Sequence, residues 1–367
     1  MKLLFLLTAF LLPAVTNVQK NADALMDAVK KGDTARIQRL VAEGADVNRA
    51  DNFGWTSLMA AASIQQVAVA RVLIADGANV NAASSNGKTP LMYAIDGRDR
   101  FGGGPYIAPP KATDLVELLL NKKADINASD KSGSTALMYA VITDNLPIVS
   151  LLLKWGADVA RRNAYRRSAL SLAYDLQIVQ ALLQKGADIK ADGGDVLSHA
   201  ARQGDLPMVR WLLHHGVNIN AIDFQGETAL MVAAGCIDTN LVSFLLSRGA
   251  DANIQTKQDG SNALIMAASC STPLMQETES SQNREHIINT LLDKGVDINA
   301  RDIHGYTALI WAARNGDVNT VKLLLARGAD VNIRSKNGET IIKLTRDTDS
   351  PGRFKVIQLL ERAGARE

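Results

Sequence analysis

The chain has 367 residues and a formal net charge of +2, from 40 Lys and Arg against 38 Asp and Glu. This near-neutral balance argues against a general nucleic-acid binder. Hydrophobic residues make up 47% of the chain, with only 27 Gly and 9 Pro, which excludes a disordered or collagen-like protein. Aromatic residues are only 5% of the sequence, so we expect a core of small aliphatic units.

The first twenty residues have the layout of a secretory signal peptide. Lys2 precedes an apolar run from Leu3 to Leu12 that only Thr8 interrupts. Such a run spans about 15 Å as a helix, too short for a hydrocarbon core of about 30 Å. We expect cleavage of residues 1–20, a mature chain 21–367 that is periplasmic or secreted, and no membrane association afterwards. The alternative for this segment is a buried terminal helix.

A repeat dominates the rest of the chain. The phrase Gly-Ala-Asp or a variant recurs at intervals of 33, 46, 33, 30, 30, 33, 46 and 33 residues. This series is a base period of 33 with two insertions of 13 and two deletions of 3, the pattern of a repeat protein. The phrase begins at Gly44, Gly77, Lys123, Gly156, Gly186, Gly216, Gly249, Gly295 and Gly328.

Each repeat predicts two short helices. In the unit that begins at His304, Thr307 and Asp317 are placed to cap helices with apolar stripes, and Gly328 follows where a left-handed C-cap is wanted. Helices shorter than about 12 to 15 residues are marginal alone. Stability must therefore come from stacking one repeat on the next.

This pattern resembles the ankyrin repeat from about residue 22 to residue 367. The family phrase stands here as GWTSLMAAA, GKTPLMYA, GSTALMYA, GETALMVAA and GYTALIWAA. The resemblance implies an all-α solenoid of about ten helix-turn-helix units with short β-hairpin fingers. With the leader, the chain looks like exported, periplasmic ankyrin-repeat proteins of bacteria.

Several positions depart from the family pattern. Methionines such as Met59 and Met138 stand where the family usually has a histidine that ties neighbouring units by hydrogen bonds, so we expect apolar packing in its place. Lys123 replaces a C-cap glycine, and Arg166 replaces a turn glycine. The next repeat loses three hairpin residues near residues 192–194. We also expect loop insertions near residues 98–110 and 271–285.

Catalytic motifs are absent from the sequence. None of the five histidines has H-E-x-x-H or zinc-like spacing, and no serine lies in a G-x-S-x-G elbow. Gly87-Lys88-Thr89 lacks the upstream glycine of a phosphate loop. We expect no enzymatic activity, no cofactor and no metal site.

The two cysteines leave two alternatives. Cys236 and Cys270 occupy equivalent places in successive repeats, but stacked helices lie about 8 to 10 Å apart, beyond the reach of a disulfide. An insertion directly after Cys270 loosens that geometry, and an oxidising compartment favours closure. The cysteines either form a disulfide or remain two unpaired, partly buried thiols.

The resemblance places a partner protein on the finger tips and on the first helices, which face a concave groove. Aromatic and arginine residues at such positions are typical binding anchors. The alternative is that apolar members are half buried between units. The predicted partner-binding residues are Phe53, Trp55, Tyr93, Tyr139, Tyr165, Arg166, Arg167, His199, Phe224, His304, Tyr306 and Trp311.

The run from Arg161 to Arg167 carries four cations on one finger. It could contact nucleic acid or an acidic protein patch, or it could be a solvated edge. Because a single basic finger in a near-neutral chain is weak evidence for nucleic acid, we expect none as a partner.

These observations favour a non-enzymatic, monomeric module that binds a partner protein and supports or regulates an exported enzyme or complex. One alternative is a secreted effector that binds a host protein. An enzyme that uses the repeats as a scaffold is an alternative of another class, but it would need a non-repeat domain, for which the repeats leave no long enough stretch.

Overall fold

The computed structural model describes residues 23–97, 112–270 and 277–367. The predicted signal peptide 1–20 and the insertion near 98–110 lie outside the described residues. The chain divides into two compact units, one ending at Ala187 and the other beginning at Asp188.

Each unit is built from successive pairs of short helices. The described residues form ten such pairs, in one of which a 3₁₀ turn, Leu170–Leu172, replaces the first helix. The predicted all-α repeat fold is confirmed. The helices of the first unit are α1 (23–31), α2 (Thr34–Ala42), α3 (Ser57–Ser63), α4 (Val67–Ala75), α5 (Pro90–Asp96), α6 (Ala112–Asn121), α7 (Ala136–Ile142), α8 (Leu146–Lys154) and α9 (Leu176–Gln184). Those of the second unit are α10 (Ile189–Arg202), α11 (Leu206–His214), α12 (Ala229–Gly235), α13 (Thr239–Ser247), α14 (Ala263–Ser269), α15 (Glu277–Asp293), α16 (Ala308–Asn315), α17 (Val318–Ala326), α18 (Ile341–Arg346) and α19 (Arg353–Arg362).

Side-chain caps start most of these helices. Thr307 accepts a hydrogen bond from the Ile310 amide (3.3 Å), and Asp317 accepts one from the Thr320 amide (3.0 Å). Each cap satisfies an amide that the first turn would otherwise leave unpaired. First helices form the core: every residue of α3 is buried. In the second unit α12 packs on α14 and α14 on α16, so each repeat shields its neighbour.

Polar ties between repeats come from asparagines at the base of the turns. The side-chain oxygen of Asn127 accepts the Asp158 amide, and that of Asn299 accepts the Asp330 amide, each at 2.9 Å. The expectation that apolar packing replaces such ties is therefore wrong in part. Met59 and Met138 do pack in the core, but a different residue type supplies the hydrogen bonds.

The predicted β-hairpins are reduced to turns. Within the described residues, strand pairing is confined to two isolated antiparallel bridges, Ser129 with Thr135 and Ile222 with Thr228. In these turns, side-chain oxygens accept hydrogen bonds from the amides that would pair across a longer hairpin.

The second expected loop is shorter than the sequence suggested. Residues 277–285 belong to α15, so this part of the predicted insertion 271–285 is helical. Arg284 helps to fix α15. Its buried guanidinium pairs with Asp317 and donates to the Cys270 carbonyl oxygen (2.7 Å).

The repeat without a finger has a close backbone contact instead. Residues 192–194 lie inside α10, where the sequence predicted only a shortened hairpin. A Cβ atom on Gly194 would lie 2.2 Å from the Ile222 carbonyl oxygen. Glycine at this helix position is therefore required by packing.

Replacing Gly194 with alanine should destabilise the protein by about 2 kcal/mol, because the added carbon forces the backbone apart. Helix propensity alone predicts the opposite sign, a gain of about 0.5 to 1 kcal/mol. Gly235→Ala is the matched control, since its Cβ would meet only the Met266 Cβ at 3.9 Å. Urea unfolding followed by circular dichroism would show the difference, and equal stability of the two variants would contradict the contact.

Candidate protein-binding surface

The fingers are six-residue turns that precede the first helices, such as 51–56, 130–135, 163–168, 223–228 and 302–307. The first residue of each closes the turn. One carboxylate oxygen of Asp302 accepts the amides of His304 and Tyr306, both at 2.8 Å. The same contacts recur at Asp51, Asp130, Asn163 and Asp223. Because the backbone is held in this way, the tip side chains project from a fixed frame.

Aromatic residues on the first helices bind the same finger residues. The Tyr139 hydroxyl donates to the second carboxylate oxygen of Asp130 (2.7 Å), and Trp311 Nε1 donates to that of Asp302 (2.9 Å). The Tyr93 hydroxyl lies 3.1 Å from Ser84 Oγ. Each pair is separated by nine residues. These rings therefore join a finger to its own first helix.

Three predicted anchors of the first unit are buried in the structure, contrary to the exposed positions expected for them. Trp55, Tyr93 and Tyr139 are only 7%, 5% and 9% exposed. Trp55 packs edge-on to Tyr93 with ring centroids 4.4 Å apart. Lys88 lies 4.3 Å from the Tyr139 ring centroid and 2.6 Å from the Asp96 carboxylate, which closes this surface further. The rings fill the space between fingers and helices, and little of them remains for a partner.

The second unit keeps its aromatic cluster open. Tyr306 and Trp311 meet edge-to-face at 5.6 Å, and both are partly exposed. Arg314 donates to the Tyr306 hydroxyl (3.1 Å), and its guanidinium lies 5.0 Å from the Tyr306 ring. His304 is exposed beside Tyr306, with ring centroids 5.8 Å apart. We call His304, Tyr306, Trp311 and Arg314 the Tyr306 cluster.

Three predicted finger residues are well exposed. Phe53, Tyr165 and Phe224 expose 52%, 74% and 57% of their surface. The structure adds Ile222 and Ile303, which the sequence reasoning missed. Alignment of the fingers could have found Ile303, because it occupies the same second position as Phe224.

Of the remaining predicted residues, some are exposed to solvent and others make contacts within the protein. Arg166 is exposed, whereas Arg167 is partly buried and donates to the Ser171 carbonyl oxygen (2.9 Å). His199 is partly exposed on α10, 3.5 Å from the Gln203 amide nitrogen, in the repeat that lacks a finger. It does not share a finger with the other predicted residues.

Both cysteines are free thiols in this structure, with Cys236 exposed and Cys270 partly buried. Desolvation is the main factor that raises the pKa of Cys236. Arg202 opposes this shift, and the nearby Cys270 adds to it. The Cys236 thiol is therefore held protonated rather than activated as a nucleophile.

In the described ranges, no three side chains of His, Cys, Asp or Glu come together in a way that could hold a metal ion. None of the helices in the same ranges combines the length and apolar character that a membrane span requires.

The Tyr139–Asp130 contact predicts a pH-dependent stability. Desolvation raises the pKa of Asp130, but hydrogen bonds from Tyr139, Ser132 and Ser134 outweigh it and leave the pKa lowered. A carboxyl whose folded pKa is depressed stabilises the fold above its unfolded pKa, and this contribution is lost as the pH falls through the folded pKa.

Tyr139→Phe should therefore lower the unfolding free energy by about 1 to 2 kcal/mol near pH 7, because a hydrogen bond to a charged group is lost. The difference should shrink below about pH 4 as Asp130 becomes protonated in the variant and then in the native protein. Unfolding free energies from urea titrations at both pH values would test this. Tyr165→Phe is the control, since its exposed ring should give no difference at either pH. A pH-independent loss in Tyr139→Phe would contradict the assignment.

Comparison with known proteins agrees with the repeat geometry. A family model described as ankyrin repeats, in three copies, matches residues 25–101, 107–193, 168–256, 197–277 and 238–335. The chain is also 35% identical over 120 residues to a human protein named Ankyrin repeat and SOCS box protein 6, and to the Pongo abelii protein of the same name. That similarity covers 31% of this chain and 26% of each relative, so the chain spans about a quarter of the curated relatives it matches.

The family matches together cover well over half of the chain, and they coincide with the helix pairs and turns described above. Ankyrin repeats indicate a protein–protein interaction module. From its repeat period, helix pairs and family matches, this chain belongs to the ankyrin-repeat family.

Proposed function

We propose that this protein is a non-enzymatic binding protein that holds a partner protein on its exposed finger tips and on the Tyr306 cluster. One observation carries the proposal. Among the described residues, five large apolar side chains are more than half exposed, and four of them lie on a finger or directly beside one. The four are Phe53, Tyr165, Ile222 and Phe224, and the fifth is Phe354 on α19.

The chemistry of these residues suits a protein partner. Exposed aromatic rings bury a large apolar area while losing few rotamers, and aromatic and arginine residues are enriched at the centres of interfaces. The fixed turns reduce the entropy lost on binding, because the tips do not have to be ordered by the partner. In the Tyr306 cluster, Arg314 adds a cation that the Tyr306 hydroxyl already positions.

The Tyr306 cluster places a cation among aromatic rings. The Arg314 guanidinium lies 5.0 Å from the Tyr306 ring and 5.8 Å from the Trp311 ring, within the range of cation–π attraction. A partner carboxylate or carbonyl would meet a charge that is already oriented. The cluster therefore offers both an apolar contact and a directed hydrogen bond.

Replacement of exposed tips should weaken partner capture without unfolding the protein. The double variant Phe224→Ser, Ile303→Ser should retain less than about one tenth of the partner recovered by the wild type, because the apolar contacts of two fingers are lost. Phe354→Ser is the matched control, since Phe354 is at least as exposed but lies off the fingers. Affinity capture from extracts of the source cells, with quantitative mass spectrometry, gives the comparison. Equal capture by the double variant and the control would contradict the proposal.

We also propose that the protein is exported and supports or regulates an exported enzyme or complex. Lys2 and the apolar run from Leu3 to Leu12 support this proposal. A secreted effector with a host-protein partner differs in destination and shares the same leader.

Cell fractionation with mass spectrometry of the mature N-terminus tests the export proposal. We expect a chain that starts between Ala14 and Ala22 and is recovered outside the cytoplasm. Recovery of an intact Met1 in the cytoplasm would contradict export but would leave partner binding standing.

A further inference from the structure

The finger at residues 163–168 differs from the others at its fourth position. In the other fingers this position is a glycine with positive φ, as at Gly54, Gly87, Gly133, Gly226, Gly260, Gly305 and Gly338. Arg166 adopts the same left-handed backbone, with φ of 62°. A side chain in that conformation brings Cβ too close to the carbonyl oxygen, so arginine is a less stable choice than glycine here.

Crowding explains why most fingers require glycine. A Cβ on Gly87 would lie 2.7 Å from the Lys131 amide nitrogen, and one on Gly133 would lie 3.0 Å from the Asn163 Cα, both on the following finger. The finger at 163–168 is the last finger of the first unit, so within that unit no following finger limits the size of residue 166. Space permits the arginine, but the backbone conformation still opposes it. The arginine therefore carries a backbone strain that glycine would not have at this position.

This finger is also the most basic segment of the unit. Four arginines and no acidic residue lie between Asp158 and Asp175. Two of them hold the turn: Arg162 donates to the Arg166 carbonyl oxygen (2.8 Å), and Arg167 donates to the Ser171 carbonyl oxygen (2.9 Å).

The other two arginines are exposed. Arg161 pairs with Asp158 at 3.6 Å in an ion pair whose side chains are both about half exposed, a contact that another carboxylate can replace. Arg166 extends from the turn beside Tyr165, the most exposed large apolar side chain in the described residues. Two cations and an accessible ring therefore lie on one rigid turn.

We propose that Tyr165, Arg166 and Arg161 bind an acidic segment of a partner protein, a step that rests on the proposed function above. Carboxylates pair with the two guanidinium groups, and an apolar side chain of the segment packs on the Tyr165 ring. Nucleic acid is a poorer match, because Asp51 and Asp130 begin two other fingers of the unit and interrupt any continuous basic track. Arg162 and Arg167 are positioning residues in this scheme.

Arg166→Gly separates binding from stability. It removes both the strain and the cation, so it should raise the melting temperature by about 2 °C while weakening the interaction about fivefold or more. Lys123→Gly is the matched control. Lys123 has φ of 65° and follows α6 in the same unit, so its replacement relieves the same strain and removes the same charge away from the finger.

The probe is a fluorescein-labelled peptide that alternates glutamate and aspartate around a central phenylalanine. Binding to the full chain is followed by fluorescence anisotropy at low salt and at about 0.5 M salt, where exposed charge pairs are screened. We expect the wild type and Lys123→Gly to bind equally, Arg166→Gly to bind more weakly, and salt to weaken all three. Tyr165→Ser should also bind more weakly.

Three results would overturn the proposal. They are failure of the wild type to bind the peptide, equal binding by Arg166→Gly, and tighter binding of an oligothymidine of the same length with the same dependence on Arg166. In each case, loss of capture by Phe224→Ser, Ile303→Ser against Phe354→Ser would still support the proposed function. If the double variant and Phe354→Ser captured the partner equally while the peptide results were as expected, the proposed function would be contradicted instead.

Discussion

The surface of this protein depends on the aspartate or asparagine that begins five of its fingers. In two repeats, at Asp130 and Asp302, one carboxylate oxygen closes the turn and the other receives a donor from the first helix. A turn held only by its backbone would leave several amides unpaired and the tip free to move. Because one side chain satisfies both needs, a short turn becomes a rigid extension of a buried helix.

That dual role satisfies the polar atoms of aromatic residues on the first helices, but it does not decide which of their rings are exposed. A phenol or indole needs a partner for its polar atom, and a finger carboxylate nine residues earlier supplies one inside the same repeat. Tyr139 is buried with its hydroxyl paired in this way, and the buried Tyr93 has its hydroxyl next to Ser84 Oγ instead. Trp311 makes the same contact but remains partly open, beside Tyr306 and Arg314. Identical bonding within a repeat therefore does not determine how much of a ring a partner can reach; the neighbouring side chains do.

Much of the fold could be predicted from the sequence, because it depends on local chemistry repeated many times. The period, the caps at Thr307 and Asp317, and the left-handed position of Lys123 each follow from residue type and spacing. The site was less predictable. An aromatic residue with a polar atom favours an exposed anchor in sequence reasoning, yet at Tyr139 that atom is used internally. The burial of Gly194 against the Ile222 carbonyl depends on a contact 28 positions away, and no local pattern signals it.

Arginine in the left-handed position of one finger illustrates how a repeat protein gains a specific surface. Stacking imposes glycine at this position wherever the next finger approaches closely, as the contacts of Gly87 with Lys131 and of Gly133 with Asn163 show. At the last finger of a unit, that steric requirement no longer applies within the unit, and only the backbone preference opposes a larger residue. Among the fingers that the structure describes, this one alone has a cation in place of the fourth-position glycine, and Arg162 supports the strained turn by donating to the Arg166 carbonyl oxygen. Packing between neighbouring fingers restricts which residues the regular repeats can carry. An irregular position such as Arg166 is under less of this restriction, so it can carry a side chain with a different binding chemistry.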